Sequence, residues 1–282
     1  MHKMLRRFLS TTSSPVKSSL NTSTGVATVL LNFPEKRNAL SSTMLFSLGQ
    51  EMDKVIRNSA TKVIVIKSSH PAVFSSGHDL GELVPGLKGT PAPADDVVHE
   101  NHVHLFNLCS EVMLKIHFAP QPVIAEINGV ATAAGCQLVA TCDLAYASDD
   151  SQFATPGVNI GLFCSTPAVP LVRTVAPKHA LEMLLTGEMI SAKRAEEIGL
   201  INRVVKKEDL SQVVMELAEK IGQKSKSALR IGKKTLRTQI DMNITDAYRH
   251  TGATMVDNMG TKDAKEGIGA FLQKRTPEWS DL

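Results

Sequence analysis

The sequence predicts an α/β fold followed by a helical C-terminal region. Apolar, β-prone runs at 63–67 and 122–127 are typical of buried strands, while apolar residues recur at helical spacing over 42–58. Strands that alternate with helices in this way favour an α/β core. After Pro170 the pattern becomes mainly helical.

The remaining elements follow from local signals. Strands are predicted at 26–32, where Pro34 ends the run, and at 144–148, with a short extended piece at 201–205. Helices are predicted at 97–116, at 134–141 and at 178–186, the last ending before Gly187. Ser191 is a predicted cap of the next helix, which Gly199 ends, and longer helices follow from Glu208. Three prolines and three glycines between Gly81 and Asp96 predict a mobile loop.

Residues 1–20 have the character of a mitochondrial transit peptide. They are basic, rich in Ser and Thr and free of acids, with Leu5 and Phe8 on a face opposite Arg6 and Arg7. An ordinary disordered tail is the alternative. We therefore divide the chain into a leader at 1–20, a core at 21–204 and a C-terminal helical region at 205–282, and we expect the protein in the mitochondrial matrix.

Charge and composition argue against two broad classes of protein, nucleic-acid binders and membrane-spanning proteins. The formal net charge of +3 includes four bases in residues 1–20, and without them the charges nearly cancel. Near neutrality argues against a general nucleic-acid binder. No apolar run approaches the ~20 residues that a membrane span needs. A basic stretch near the C-terminal helices lacks the interleaved aromatics of RNA-binding surfaces; its members are Lys224, Lys226, Lys233, Lys234 and Arg237.

The four cysteines form no C-x-x-C pair. We expect reduced, mostly buried thiols, which suit an interior compartment. The four are Cys109, Cys136, Cys142 and Cys164.

Two stretches of small residues lie where predicted strands end. Ala133, Ala134 and Gly135 open the helix at 134–141, and Ser76 and Gly77 follow the strand at 63–67. Unpaired N–H groups at such turns are suited to hold one oxygen atom between them, as in an oxyanion hole. The alternative is that the small residues only permit close packing.

Seven segments carry a resemblance to a known family: 33–40 (FPEKRNAL), 74–80 (FSSGHDL), 128–136 (NGVATAAGC), 142–147 (CDLAYA), 185–191 (LTGEMIS), 202–205 (NRVV) and 266–275 (EGIGAFLQKR). On these segments the chain resembles the enoyl-CoA hydratase/isomerase family, also called the crotonase family. The resemblance implies a spiral of β-β-α turns. It also implies C-terminal helices that assemble a homotrimer, often doubled to a hexamer.

The resemblance further implies an acyl-CoA thioester as substrate. Coenzyme A is then part of that substrate, and no permanently bound cofactor is expected. The implied oxyanion donors are the backbone N–H groups of Ser76 and Ala134. Residues implied to contact CoA are Lys36 and Arg37 and, across a subunit boundary, Phe271 and Lys274.

The chain departs from the family where hydratases carry two glutamates. Gln137 and Gly157 occupy those positions, and segment 164–170 replaces a glycine-rich run. Efficient enoyl-CoA hydration is therefore not expected. His78 is the remaining titratable candidate for proton transfer, with a structural or pocket-lining role as the alternative.

Other polar residues are weaker candidates for a catalytic role. Asp79 and Asp143 are interpreted as turn-fixing carboxylates, and Glu82 as a distant candidate for the acyl pocket. His99, His102 and His104 form a local cluster. No metal site is predicted there, because a metal would need a further ligand and supporting residues around the ligands.

The sequence thus predicts a mitochondrial acyl-CoA-binding protein linked to fatty-acid metabolism. Any activity would be of lyase or isomerase type, through the oxyanion hole. The alternative is a catalytically silent scaffold or regulatory protein that keeps the fold.

Overall fold

The computed structural model describes residues 14–86 and 93–280, in which two sheets are surrounded by helices. The larger sheet has six strands in the order β1-β2-β3-β5-β7-β10, and the smaller has four in the order β4-β6-β8-β9. Most neighbours are parallel; the pairs β1–β2 and β8–β9 are antiparallel.

The strands are β1 (Val16–Asn21), β2 (Val26–Leu31), β3 (Val63–Ser68), β4 (Val73–Ser75), β5 (Val123–Ile127), β6 (Val130–Thr132), β7 (Leu144–Ser148), β8 (Gln152–Ala154), β9 (Ile190–Ser191) and β10 (Arg203–Val205). The α-helices are α1 (Ser42–Arg57), α2 (Leu80–Leu83), α3 (Asp95–His117), α4 (Ala134–Thr141), α5 (Ser165–Thr174), α6 (Pro177–Thr186), α7 (Ala192–Glu197), α8 (Leu210–Gly222), α9 (Lys226–Gln239), α10 (Ile244–Met259) and α11 (Lys262–Leu272).

A repeated β-β-α unit generates the two sheets. In three successive units, the first strand joins the larger sheet and the second joins the smaller one: β3 and β4, β5 and β6, β7 and β8. Each pair is followed by helices, α2 and α3, then α4, then α5. The α/β class and the spiral arrangement expected from the sequence are confirmed.

Side chains alternate between the two faces of the larger sheet, and both faces are buried. In β3, Ile64 and Ile66 belong to the main core beneath α1, α3 and α4. Val63 and Val65 face the other way, into a smaller core. Leu210 and Val214 of α8 complete that smaller core. Helix α8 therefore packs on the second face of the larger sheet.

The structure corrects three of the predicted boundaries. Residues 16–21 form β1, which pairs along its length with β2, so the fold begins inside the 1–20 segment assigned to a leader. Residues 1–13 of that segment lie outside the described residues. The division at 204/205 falls within β10. The loop predicted over 81–96 is shortened by α2 and α3, and its residues 87–92 lie outside the described residues.

The helical part begins earlier than the sequence indicated. Helix α5 starts at Ser165 and contains Pro167 and Pro170. Pro167 lies in the first turn, where a backbone N–H has no helical acceptor, so its cost there is small. Within the described ranges, none of the helices is long and apolar enough to cross a lipid bilayer.

The carboxylate of Asp263 fastens the end of the chain to the C-terminal helices. It accepts hydrogen bonds from the hydroxyls of Ser225 and Ser227 and from the N–H and hydroxyl of Ser280. Burial raises the pKa of Asp263, but these hydrogen bonds outweigh burial and lower the pKa to about 2.

We expect Asp263→Asn to lower the free energy of unfolding at pH 7 by about 1–3 kcal/mol, because the amide cannot accept all four bonds. The folded pKa lies below the unfolded value of about 3.9, so the carboxylate stabilises the fold above that value and loses this contribution as the pH falls toward 2. In urea unfolding, the difference between wild type and variant should therefore shrink from about pH 4 to pH 2.

Asp241→Asn is the matched control, because Asp241 is exposed. Its difference from wild type should be small at every pH. A wild-type advantage over Asp263→Asn that stays constant down to pH 2 would contradict the prediction.

Candidate active site

A cavity of about 560 Å³ lies between the end of β4, the first turn of α4 and the segment 156–167. Its wall contains no Lys, Arg, Asp or Glu side chain among the described residues, and five polar residues interrupt an otherwise apolar lining. The larger apolar side chains of the wall are Leu80, Leu83, Phe106, Ile160, Leu162 and Phe163. Such a cavity suits an uncharged, apolar group.

The close approach of α4 to β4 depends on Gly135. A Cβ atom at this position would lie 2.4 Å from the carbonyl oxygen of Ser75 and 2.9 Å from its Cβ. All eight residues of α4 are buried, which holds the helix in this position. The glycine is therefore required for the contact that forms one wall of the cavity.

Ala133 begins the turn into α4 with a strained backbone. Its φ of 49° is in the left-handed region, where a Cβ atom is disfavoured. The Ala133 N–H donates to the carbonyl of Ala154 at 2.9 Å, which holds the turn against β8. Strain of this kind persists only where the surroundings impose it, and it concentrates at functional sites.

The two predicted oxyanion donors differ in the structure. The N–H of Ala134, at the N-terminus of α4, has no acceptor in the described part of the chain. The N–H of Ser76 donates to the carbonyl of Arg37 at 3.1 Å. Ser76 lines the cavity, but the prediction that its N–H is open is wrong, because the loop at Arg37 already supplies an acceptor.

The N–H of His78 is the second open donor. No acceptor for it exists among residues 14–86 and 93–280, and His78 lines the cavity together with Ala134. Gly77 lies directly against the α4 turn, since a Cβ there would be 2.9 Å from Ala133 Cβ and 3.4 Å from the Ala134 nitrogen. The two residues with open N–H groups, His78 and Ala134, therefore both line the cavity.

The His78 side chain has one buried nitrogen that is free to accept a hydrogen bond. Its Nδ1 lies 3.0 Å from the carbonyl oxygen of Leu40; a carbonyl only accepts, so Nδ1 carries the proton. Nε2 is buried and has no partner in the described structure. Burial lowers the pKa of His78, while the bond to Leu40 and the charge of Glu82 oppose that change. The ring packs edge-on against Phe106, with centroids 5.3 Å apart.

The predicted carboxylates have structural roles. Asp79 caps α2 by accepting from the N–H of Gly81, and Asp143 accepts from the N–H of Val123. Glu82 accepts from the N–H and hydroxyl of Ser42 at the start of α1, at 2.8 and 2.9 Å, so it is held away from the cavity.

Gly157 lines the cavity where no side chain fits. A Cβ there would lie 2.9 Å from both the Cys164 sulfur and the Leu162 carbonyl oxygen. The Gly157 N–H also donates to the Cys164 sulfur at 3.3 Å. Gln137 is buried in α4, and its Oε1 has no donor among the described residues.

The four positions implied to contact CoA fall into two groups. Lys36 and Arg37 lie beside the cavity: Lys36 pairs with Asp79 at 3.5 Å, and the Arg37 carbonyl accepts from Ser76. Phe271 is 82 % exposed at the end of α11, with Lys274 just beyond, and neither lines the cavity of its own chain.

The histidine cluster does not form a metal site in the described part of the chain. Within it, the Nε2 of His102 lies 2.7 Å from the carbonyl oxygen of Leu83. All four cysteines are free and buried, as expected. Burial raises the pKa of Cys109 and of Cys136 to about 12, so these thiols stay protonated at neutral pH.

Sequence reasoning missed two parts of the site. Asn38 is fully buried and donates to Ser68 and to the Phe74 carbonyl, which joins the Lys36–Arg37 loop to β4. The segment 156–167 supplies much of the apolar wall, with Leu162 and Phe163 exposed to the cavity. Its signal in the sequence is the run of apolar residues beside Gly161.

Comparison with known proteins identifies the family to which this two-sheet spiral belongs. The model of the family "Enoyl-CoA hydratase/isomerase" matches residues 21–282. The chain belongs to this family.

Particular relatives are similar over most of the chain. The mitochondrial enoyl-CoA hydratase domain-containing protein 3 of Rattus norvegicus is 48 % identical over 268 residues, which cover 95 % of this chain and 86 % of the relative. The crystal structure of the human protein of that name is 46 % identical with a TM-score of 0.87, covering 94 % of this chain and 100 % of the other. The crystal structure of an enoyl-CoA hydratase of Mycobacterium smegmatis is 42 % identical, also with a TM-score of 0.87, and the match covers 95 % of this chain and 99 % of the other.

We expect Gly135→Ala to lower the free energy of unfolding by more than about 2 kcal/mol, since its methyl group would overlap the Ser75 backbone. Thermal and urea unfolding measure the loss. The control is Gly252→Ala in α10, where the methyl would meet no atom within 4 Å. This second change should be neutral or stabilising by about 1 kcal/mol. Equal effects at the two positions would contradict the proposed backbone contact.

We expect the His78 imidazole to titrate below 6.5 and to carry its proton on Nδ1 when neutral, because burial disfavours the cation and Leu40 accepts from Nδ1. Nitrogen-15 NMR of histidine-labelled protein measures both properties, with His78→Gln assigning the signal. A midpoint above 6.5, or a neutral ring protonated at Nε2, would count against this assignment.

Proposed function

We propose that the protein binds an acyl-CoA thioester and stabilises its enolate form. The observation that carries the proposal is the pair of open N–H groups, of His78 and Ala134, in the wall of an uncharged apolar cavity. Preorganised N–H donors in a site of low dielectric stabilise negative charge that develops on a carbonyl oxygen. The acyl chain would occupy the apolar part of the cavity.

The neutral His78 side chain gives the cavity a base. A movement of the ring that exposes the buried, unpartnered Nε2 would let it accept a proton from the carbon next to the thioester carbonyl. The carbonyl oxygen would then take up the negative charge between the two N–H groups. Return of the proton to the same or a neighbouring carbon would complete a proton exchange or an isomerisation. Ser76, the donor first expected, would instead support the loop through its bond to Arg37.

Water addition would be inefficient in this site. The two positions implied to carry glutamates hold Gln137, which cannot exchange a proton at neutral pH, and Gly157, which has no side chain. Cys164 and the Leu162 carbonyl occupy the space beside Gly157, so no carboxylate fits there without a rearrangement. The proposed chemistry is therefore of lyase or isomerase type.

CoA binding would use both the chain's own residues and a neighbour's. Lys36 and Arg37, beside the cavity, would pair with CoA phosphates. Phe271 and Lys274 would reach the CoA of an adjacent subunit in a homotrimer or hexamer. Exposed apolar side chains on the C-terminal helices support such an assembly; they include Ile240, Ile244, Tyr248, Val256, Phe271 and Leu272.

The proposed setting is the mitochondrial matrix, in fatty-acid metabolism. Three observations support it: the basic leader composition of residues 1–20, the acyl-CoA family, and the word "mitochondrial" in the names of the relatives from rat, mouse and human. Coenzyme A would enter only as part of the substrate.

A catalytically silent binding protein is the second candidate. The tight packing of Cys164 against Gly157 favours it, because this contact closes the position from which the family's second acid would act. Such a protein would keep thioester binding and have no turnover.

The test is calorimetric binding of crotonyl-CoA and of free CoA, with turnover measured in the same preparation. We expect tighter binding of the thioester and slow or absent hydration of crotonyl-CoA. With the saturated thioester butyryl-CoA in deuterated water, we expect exchange of the two protons on the carbon next to the carbonyl. His78→Gln should leave the dissociation constant within a few-fold and reduce the exchange by about 10²–10⁴-fold.

His104→Gln is the matched control, since His104 is exposed on α3 and does not line the cavity. Binding without any exchange in the wild type would favour the silent protein. Absence of thioester binding, or rapid hydration insensitive to His78→Gln, would overturn the proposal.

A further inference from the structure

A second cavity, of about 280 Å³, lies near the C-terminal end of α4. One side is formed by residues 117–120 after α3, and the other by α9. It shares no lining residue with the cavity at Ala134. Asp143, just beyond α4, forms ion pairs with two cationic side chains of α9.

The α9 wall of this cavity is a row of cations. Their spacing of three, four and seven residues puts them on one face of the helix. The four side chains are Arg230, Lys233, Lys234 and Arg237. Because helix α9 contributes four positive charges to one small cavity, a ligand there would have to be anionic.

A single carboxylate only partly neutralises this row. Asp143 pairs with Lys233 at 2.6 Å and with Arg237 at 2.9 Å, and both cationic side chains are largely buried. Arg230 and Lys234 have no ion-pair partner in the described part of the chain and are exposed. Four cations therefore face one anion, and two of the four remain available to a ligand.

The same cations affect the pKa of His117, which lies on the other side of the cavity. Burial lowers its pKa, and the charges of Arg237, Lys233 and Arg173 lower it further, against the opposing charge of Asp143. Phe118, which is 67 % exposed, packs edge-on against this ring with centroids 4.7 Å apart. An exposed aromatic face thus stands beside the cationic wall.

We propose that the cavity binds a small phosphate-bearing anion with at least two negative charges. Arg and Lys donate charge-assisted hydrogen bonds to phosphate oxygens, and Arg does so in pairs. The volume accommodates one or two phosphate groups. The ligand is either an inorganic polyphosphate or a nucleotide whose base packs on Phe118. The site is independent of the acyl-CoA proposal, because none of its residues lines the acyl cavity.

The experiment is calorimetric titration of the full chain with pyrophosphate and with adenosine diphosphate. The test variant is Arg230→Gln/Lys234→Gln, which removes the two unpaired cations and leaves the Asp143 pairs intact. We expect it to weaken pyrophosphate binding by about tenfold or more. Wild-type affinity should fall with added sodium chloride, as for any exposed charge contact.

The matched control is Lys178→Gln/Lys193→Gln, which removes two exposed cations from α6 and α7. It should change the affinity by less than about twofold. Crotonyl-CoA affinity should be the same in the test variant and the wild type, which separates this site from the acyl cavity. Equal loss of pyrophosphate binding in both double variants, or no loss in either, would overturn the proposal.

Two further arms distinguish the sources of phosphate. Tighter binding of adenosine diphosphate than of pyrophosphate, with the difference removed by Phe118→Ala, supports a nucleotide. Equal binding supports recognition of the phosphates alone. Binding that occurs only with single-stranded oligonucleotides, and grows with their length, would overturn a small-anion site in favour of a nucleic-acid surface.

Discussion

The backbone contact between Gly135 and Ser75 is the constraint on which the cavity at Ala134 depends. It brings the first turn of α4 against the end of β4, at a distance that any side chain at Gly135 would prevent. Gly77 then lies against the turn at Ala133, and His78 and Ala134, whose N–H groups have no acceptor among the described residues, both line one cavity. Complete burial of α4 keeps this arrangement rigid.

The largely apolar cavity contains a few polar groups and, among the described residues, no charged side chain in its wall. Its donors are backbone N–H groups, and its acceptor is a neutral imidazole whose proton is held by Leu40. Hydrogen bonds in apolar surroundings are stronger than in water, and unpaired groups there carry a desolvation cost. The unpaired polar atoms around the cavity at Ala134 are therefore the groups best placed to recognise a ligand, and His78 contributes both an N–H and an Nε2.

The sequence predicted those elements whose signal is local. Helices α1, α3, α4 and α6 and strands β2, β3, β5 and β7 were placed within a few residues, because each has its own periodicity or apolar run. The short strands β4, β6, β8 and β9 were not predicted, since two or three residues carry no period and exist only through pairing with distant segments. The error at Ser76 has the same origin: its acceptor, Arg37, belongs to a remote loop.

The packing of Cys164 against Gly157 has an evolutionary consequence. A glutamate at 157 would need Cys164 and the Leu162 carbonyl to move, and the second acid would still require replacement of Gln137 inside a buried helix. Each intermediate on that route would carry either an overpacked turn or a buried carboxylate without a partner. Glutamates at both positions would therefore require several changes that occur together.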